Sequence, residues 1–358
     1  MRGDARVIDL APFTGGSRES LLGALVAAGD AFSSRESLLA RVAVPPIRLV
    51  RLLAEIGEGG IPIETRAGEG HRLANRRAVL DTARVESEIA ARNAAGASDA
   101  PPWRLLHLPA ATSTNDVATA FGDAGEPGGL VVVAETQTRG RGRDGRVWFS
   151  APGGGLWVSL LVRPALPPAH AYFLTIAAAL AGVRAAQTTA GVALRVKWPN
   201  DLVFSTSATG ASPRWLKVGG ILAEAKSRGG ALDFAVIGIG INVDLGAEDY
   251  PPELRERAAS LRVLAGGGGI SREALLAAFL VEFGTLVTPL ERGDSARLLD
   301  EFRLRSNLTG ERVTVRLAER SLTGVVRDFD ASGAILIEKN DGQLERVLAG
   351  EATFQEEI

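Results

Sequence analysis

The chain has 358 residues, 46% of them hydrophobic and 23% charged, with a formal net charge of −2. That length suits two or three globular domains, and the near-neutral charge excludes attraction of the whole protein to nucleic acid or membrane, so any basic site must be local. There is no cysteine, which removes disulfides, thiolate nucleophiles and cysteine metal sites, and the three histidines (His71, His107 and His170) lie too far apart in sequence to suggest a metal cluster.

Residues 1–17 carry little pattern and read as a flexible tail. They do not resemble a signal peptide, and no apolar run reaches the roughly 18 residues of a membrane helix, so the cytoplasm is the expected compartment. From Arg18 a helical period brings Leu21, Leu22, Leu25 and Val26 onto one face. Ser33 or Ser34 is placed to cap a short second helix carrying Leu38 and Leu39. Pro45 and Pro46 open a third, with Ile47, Val50, Leu53 and Ala54 inward and Leu49 and Leu52 where polar base-reading side chains would be expected. "IPIETRAGEGHRLA" alternates and holds Gly68 and Gly70, which predicts a hairpin. Three helices followed by a hairpin is the order of a winged helix-turn-helix, assigned to residues 18–77. Arg48 and Arg51 on the third helix, and Arg66, His71 and Arg72 on the hairpin, offer the cations that DNA phosphates need. Glu55, Glu58, Glu64 and Glu69 lie among them and leave the segment only mildly basic. The other reading of this unit is a domain that only packs or regulates. A helix over Val79–Ala91 and the stretch "NAAGASDAPP" form a connector, residues 78–102.

Residues 103–305 hold apolar strands ("LVVVAE", "GGGLWVSLLV", "KVGGILAEAK", "ALDFAVIGIGINV") and long helices at about His170–Thr188, Ser271–Leu290 and Ser295–Arg303. Hairpin-like pairs predict an α+β fold, with a central mixed or antiparallel sheet and helices on one side. Residues 306–358 read as short strands with turn signals, which suits a small β-barrel.

Five stretches carry chemistry. "ETQTRGRGRDGRVW", Glu135–Trp148, places Arg139, Arg141, Arg143 and Arg146 between Gly140, Gly142 and Gly145. Glycine lets backbone approach a ligand closely, and arginine's fixed fork suits carboxylate and phosphate, so the loop reads as built for a small anion. "TSTND" puts Ser113, Thr114, Asn115 and Asp116 at a helix start, where Ser113 with Asp116 also reads as a capping box. "KWPND" holds Lys197, Asn200 and Asp201; "KVGGI" holds Lys217 beside Gly219 and Gly220; "GIGIN" ends a strand at Asn242. Alone, each has a plain structural reading as a cap, a turn, a surface lysine or a buried strand end. Their order and spacing carry the weight.

This set, in this order, resembles the biotin protein ligases over residues 103–358 and more weakly over 18–77. The layout is similar to the bifunctional type, in which a DNA-binding domain precedes the ligase. The resemblance implies a class II synthetase-like, biotin/lipoate ligase-like catalytic fold with a C-terminal SH3-like barrel. It implies that biotin and Mg2+-ATP give biotinyl-5′-AMP, and that biotin then passes to a lysine of the biotin carboxyl carrier protein of acetyl-CoA carboxylase. It also implies a role for each matching residue. Ser113, Thr114, Asn115 and Gln137, with Gly140, Gly219 and Gly220, face biotin. Arg141 and Arg143 hold its carboxylate and then the adenylate phosphate. Arg146, Trp148, Lys197, Asn200 and Asn242 face the nucleotide. Lys217, Arg143 and Asp201 are catalytic, with Lys217 on the reacting oxygens and Asp201 placing the metal or the attacking amine. No metal site made by the protein alone is implied. Operator DNA is implied as a partner through Arg48, Arg51, Arg66 and Arg72, with a homodimer and no membrane. Two readings compete: a lipoate-protein ligase, which shares fold and adenylate chemistry, and a repressor that binds biotinyl-adenylate but transfers poorly. The Gly-Arg-Gly-Arg loop and the C-terminal barrel favour biotin. Three departures stand out: Thr112 where the family often has aspartate, Arg139 where it has a small residue, and a long segment "STSATGASPRW" (205–215) expected to be a mobile loop.

Overall fold

A computed structural model describes residues 9–58, 61–74, 79–94, 102–206, 214–317, 320–348 and 350–354. Residues 95–101 of the connector and 207–213 of the 205–215 segment, where a mobile loop is expected, lie outside the described residues.

The N-terminal unit contains α1 (Ala11–Thr14), α2 (Ser17–Ala28), α3 (Arg35–Val42), α4 (Pro46–Glu58) and a hairpin of β1 (Ile63–Arg66) and β2 (Gly70–Leu73), followed by α5 (Thr82–Ala94). Ser34, not Ser33, caps α3, accepting from the Ser37 N–H at 3.2 Å. Leu21, Leu22, Leu25, Leu38, Leu49, Leu52, Ile56 and Leu73 close one apolar core.

Two expectations are corrected here. Helix α4 buries Leu49, Leu52 and Ile56, while Ile47 and Val50 are 69% and 53% exposed. The apolar residues of α4 fill one broad arc, with Arg48, Arg51, Glu55 and Glu58 gathered on the remaining side, and the core takes the edge of that arc holding Leu49, Leu52 and Ile56. Facing Ile47, Val50 and Ala54 inward would carry Arg51 and Glu58 toward the core, and burying unpaired charge is the costlier choice. Within the expected tail, α1 is docked: Phe13 and Leu10 pack against the cluster containing Val117 and Ala118, and the Thr112 N–H donates to the Phe13 carbonyl at 2.8 Å.

Seven strands form the central sheet in the order β3-β4-β5-β9-β8-β7-β6. They are β3 (Arg104–Leu108), β4 (Leu130–Ala134), β5 (Gly155–Val162), β6 (Arg195–Lys197), β7 (Asp201–Ser205), β8 (Trp215–Arg228) and β9 (Ala231–Asn242). β3 and β4 are parallel and the other neighbours antiparallel, so the sheet is mixed. The helices of this region are α6 (Thr114–Asp123), α7 (Tyr172–Ala190), α8 (Leu261–Leu264), α9 (Arg272–Glu291) and α10 (Ala296–Arg305).

Helices lie on both faces, not one. On one face Leu174, Leu180 and Phe279 of α7 and α9 join Ile237, Ile239 and Ile241 of β9 in the main core. By length and composition α7 and α9 are long and apolar enough to cross a membrane, but both are mostly buried in the main core. On the other face α6 sets Val117 and Ala118 over Val132, Leu161 and Val236. It covers only part of that face, and the uncovered part is lined by glycine.

Beyond α10, strands β10 (Arg312–Arg316), β11 (Ser321–Phe329), β12 (Ile335–Glu338), β13 (Leu344–Val347) and β14 (Glu351–Phe354) form an antiparallel five-stranded sheet in the order β13-β12-β11-β10-β14. Phe302 of α10 meets Phe329 edge-on at 4.9 Å, joining this sheet to the main core.

Candidate active site

The floor of the site is bare backbone. Gly238, Gly240 and Asn242 alternate on one face of β9, and Gly220 of β8 lies directly opposite Gly240. The missing side chains are replaced by others lying across the sheet. A Cβ at Gly240 would stand 2.5 Å from Trp148 Cε2, and one at Gly220 would meet Trp148 at 3.1 Å and the Lys217 stem at 3.4 Å. A Cβ at Gly238 would collide with the Asn115 carboxamide. Gly219 points the opposite way, onto Leu202 and Ile241.

Lys217 reaches this face through a β-bulge. Leu202 pairs with Gly219 but the next residue, Val203, pairs with Lys217, leaving Val218 as the extra residue. The inserted residue reverses the alternation, so Lys217 shares a face with Gly220, and Val218 is buried in the main core. Lys217 Nζ lies 2.7 Å from Asp201 Oδ1 and 5.3 Å from the centroid of the Trp148 ring. Asp201 and Lys197 are direct partners across the β6–β7 hairpin. Burial pulls the Lys197 ammonium below its usual range, against the opposing pull of Asp201 and Glu351.

At the other end of the floor is a hydrogen-bonded polar group. Gln137 Oε1 accepts from the Thr114 N–H at 2.9 Å and the Thr114 hydroxyl at 3.2 Å, and its Nε2 donates to Ser150 Oγ at 2.9 Å. Ser159 Oγ lies 2.8 Å from Thr114 Oγ1 and 2.6 Å from Asn115 Oδ1, and its single proton is shared between these two acceptors. Ser113 begins α6 but makes no side-chain cap hydrogen bond, so the capping-box reading is not realised. Its hydroxyl is left for another partner.

The arginine loop lies between these ends. Arg141 makes a bidentate pair with Glu224, at 2.9 and 2.8 Å, and meets Asp116 at 2.8 Å. Arg143 donates to neutral acceptors, the Asn200 carboxamide oxygen at 3.4 Å and the Gly350 carbonyl at 3.3 Å. Arg146 pairs with both oxygens of Glu351, one at 2.7 Å. Asn200 Nδ2 donates to the Ile221 carbonyl at 2.6 Å, and Asn242 Nδ2 to the Ala259 carbonyl at 3.2 Å. Asp144 and Gly145 turn the loop at positive φ, 55° and 73°.

Ser113, Thr114, Asn115, Gln137, Gly140, Arg143, Trp148, Lys197, Asn200, Asp201, Lys217 and Gly220 therefore line one face or its rim. Arg141 differs from expectation, because its guanidinium is committed to two carboxylates. Asn242 is buried with its amide N–H already engaged. Ser150, Ser159, Glu224 and Glu351 escaped the sequence reading. Glu224 and Glu351 lie 83 and 205 residues from their arginines, with no local signal to join them.

The cations assigned to DNA are largely internally paired. Arg48 meets Glu55 at 2.7 Å, Arg66 meets Glu64 and Glu69 at 3.2 and 3.1 Å, and Arg72 meets Glu64 at 2.6 Å. Arg51 is exposed on the outer side of α4.

Residues 108–242 match the biotin/lipoate A/B protein ligase family, and residues 308–354 match the biotin protein ligase C-terminal domain. The chain is 32% identical over 243 residues to the biotin–[acetyl-CoA-carboxylase] ligase of Mycobacterium tuberculosis, covering 66% of this chain and 84% of that one. It is 27% identical over 333 residues to the bifunctional ligase/repressor BirA of Bacillus subtilis, covering 91% and 95%. Among solved structures, the biotin protein ligase of Aquifex aeolicus in complex with biotin and ATP is similar with a TM-score of 0.59 at 27% identity, covering 71% of this chain and 99% of that one.

Proposed function

The chain belongs to the biotin protein ligase family, and from that premise we propose that it joins biotin to ATP as biotinyl-5′-AMP and passes the biotinyl group to a lysine of the biotin carboxyl carrier protein of acetyl-CoA carboxylase. The observation that carries the reading is the convergence of Lys217, Arg143 and Trp148 on a glycine-lined sheet face that also holds the Thr114–Gln137 pair.

In the first half-reaction a biotin carboxylate oxygen bonds the α-phosphorus of ATP as the bond to the pyrophosphate oxygen breaks. Both reactants are anions, so preorganised cations must offset their repulsion. Arg143 is suited to this because its present partners are neutral. Lys217 becomes available as its pairing with Asp201 relaxes. The ureido ring of biotin has both donors and acceptors, matching the hydroxyls of Ser113 and Thr114 and the amides of Asn115 and Gln137. Trp148, Lys197, Asn200, Arg146 and Asn242 belong to the nucleotide side. Mg2+ arrives with ATP. One or two carboxylates plus substrate phosphates is the usual setting for Mg2+, and Asp201, once parted from Lys217, is a fitting oxygen donor.

In the second half-reaction the neutral lysine amine of the carrier attacks the carbonyl carbon, the bond to the phosphate oxygen breaks, AMP leaves with its electron pair, and the new amide nitrogen gives up one proton to solvent. Asp201 is placed to orient the incoming amine. The lipoate alternative is opposed by the C-terminal domain match and by the biotin ligases among the relatives. Biotin-dependent release of pyrophosphate from ATP, with lipoate run in parallel, tests the reading: release with lipoate alone would replace it.

A second role, repression of biotin genes, is favoured by one observation: similarity to the BirA of Bacillus subtilis runs through the N-terminal helices and hairpin. In this reading a cytoplasmic homodimer loaded with adenylate holds operator DNA through Arg48, Arg51, Arg66 and Arg72.

A further inference from the structure

Helices α3 and α4 are joined by a tight turn. Ala43, at φ 52°, gives its N–H to the Leu39 carbonyl at 3.0 Å and ends α3. After Val44 and Pro45 the chain enters α4, where the Arg48 and Leu49 N–H groups reach back to the Pro45 carbonyl at 2.9 and 3.2 Å. Two helices joined by so short a turn make a helix-turn-helix. Leu49, Leu52 and Ile56 seat α4 on the core of the unit. The opposite face carries Ile47, Val50, Arg51 and Ala54, spaced i, i+3, i+4 and i+7 and all exposed. Among the described residues, Ile47 and Val50 are the only two exposed large apolar side chains that share one helix. A single exposed apolar residue is ordinary, but a face of them marks a binding surface.

The charges around this face are unevenly committed. Arg51, and Arg41 near the end of α3, are exposed and have no ion pair among the described residues. Arg48, Arg66 and Arg72 are held by Glu55, Glu64 and Glu69, and Arg66 and Arg72 also lie over the Phe32 ring at 4.4 and 4.6 Å. A phosphate must displace a carboxylate to reach those three; Arg41 and Arg51 need no such exchange. The acids of α4 lie toward its C-terminal end, where Glu55 is paired with Arg48 and Glu58 is the last residue of the helix. Unpaired positive charge is therefore nearer the start of α4, the end whose residues meet base edges when such a helix enters DNA. The major groove admits one helix, and the apolar group it offers an aliphatic side chain is the thymine methyl.

We propose that the outward face of α4 is a thymine-reading surface: Ile47 and Val50 pack on thymine methyl groups in the major groove of duplex DNA, while Arg51 and Arg41 hold phosphates beside them. The inference rests on the repressor reading and deepens it, because bases are recognised by methyl contact rather than by the polar side chains expected on this helix.

The test is duplex binding by the full-length protein with biotin and ATP present, read by fluorescence anisotropy. The tightest duplex selected from a randomised pool is made a second time with deoxyuridine at every thymidine, which removes the methyl groups and keeps the base pairing. Each methyl taken out of water is worth about fourfold in affinity, so the uracil duplex should bind wild type about tenfold more weakly. With Ile47→Ala and Val50→Ala combined, the two duplexes should bind within about twofold of each other, since the methyl groups have lost their partners. Should the double variant fail to fold, Val50→Ala alone should narrow the difference to about fourfold. Arg51→Ala should weaken both duplexes alike and lower the salt slope by about one. Wild-type binding that ignores uracil replacement would overturn the inference and leave the repressor reading standing. So would a variant that discriminates as well as wild type. Failure to bind any duplex at low salt would overturn both. If the double variant binds both duplexes like wild type but loses self-association in sedimentation, the face belongs to a second copy of the chain and the inference is overturned.

Discussion

The indole of Trp148 rests on the backbone of Gly240, where a Cβ would stand 2.5 Å from Cε2. The tryptophan therefore rests on the sheet face that the proposed reading gives to the nucleotide. Gly240→Ala should push the indole off the floor. The expected result is a shift in Trp148 emission, isolated by comparison with Trp148→Phe, and a rise in half-saturating ATP of about tenfold, the scale of one misplaced contact. Unchanged emission and unchanged ATP dependence would show that the indole finds the same place without this contact.

Lys217→Ala should mainly slow adenylate formation. A cation on the reacting oxygens stabilises charge that builds in the transition state, and losing such a group costs roughly 10²–10³-fold. Lys217→Arg should not restore the rate, since a planar fork does not replace a compact ammonium over Trp148 and beside Asp201. Single-turnover rates of pyrophosphate release measure this; a rate within about threefold of wild type for Lys217→Ala removes the role.

Arg143→Ala should mainly weaken retention of the adenylate. Its present hydrogen-bond partners are neutral, so its charge is free to meet an anionic product. The variant should leak biotinyl-adenylate and label unrelated lysines in a mixture of proteins. An unaltered adenylate off-rate would reassign the anion contact elsewhere in the loop.

Much of this site was legible because its chemistry sits in short contiguous stretches. The Gly-Arg-Gly-Arg loop, the Ser-Thr-Asn helix start and the Lys-Trp-Pro-Asn-Asp hairpin each lie within about a turn or a strand end. What stayed hidden depends on distant pairing or on one-residue register. Glu224 and Glu351 meet their arginines only through the tertiary fold. The bulge at Val218, which turns Lys217 to the site face, leaves no mark in composition. Helix α4 was read in the wrong phase because its apolar arc is broader than the face the core takes, and the placement of Arg51 and Glu58 decides which edge of it is buried.

Acid stability should depend on a carboxylate just outside the site. Glu135 is buried, which alone would raise its pKa, yet the hydrogen bond with His107 and the Arg272 charge bring it down to about 2. Arg272 donates to it at 2.8 Å and the Leu80 N–H at 2.8 Å. A drop from the ordinary 4.5, at about 1.4 kcal/mol per pH unit, corresponds to about 3 kcal/mol. Because the folded value is depressed, this stability is present above about pH 4.5 and is lost as pH falls toward 2. Urea unfolding at pH 7 and 3 should show Glu135→Gln less stable than wild type at pH 7, with the gap narrowing at pH 3. A constant gap would assign the loss to packing.

Deleting residues 1–77 should leave biotin transfer in place with weaker biotin binding. The deletion removes Phe13, whose carbonyl holds the Thr112 N–H beside Ser113, and Glu19, which accepts from the Thr138 hydroxyl beside Gln137. Two lost hydrogen bonds support a rise in half-saturating biotin of roughly tenfold. The full-length protein, loaded with adenylate, should bind DNA upstream of biotin genes with steep salt dependence. No transfer by the truncated protein would mean that the catalytic core is not independent.

The central claim is biotin transfer, and the most direct measurement is the mass of a biotin carrier domain after incubation with this protein, ATP, Mg2+ and either biotin or lipoate. The expected result is one biotinyl group on one lysine of the carrier, dependent on ATP, largely lost with Lys217→Ala and absent when lipoate replaces biotin. A carrier left unmodified by the wild-type protein with biotin and ATP, or modified only with lipoate, would contradict the account.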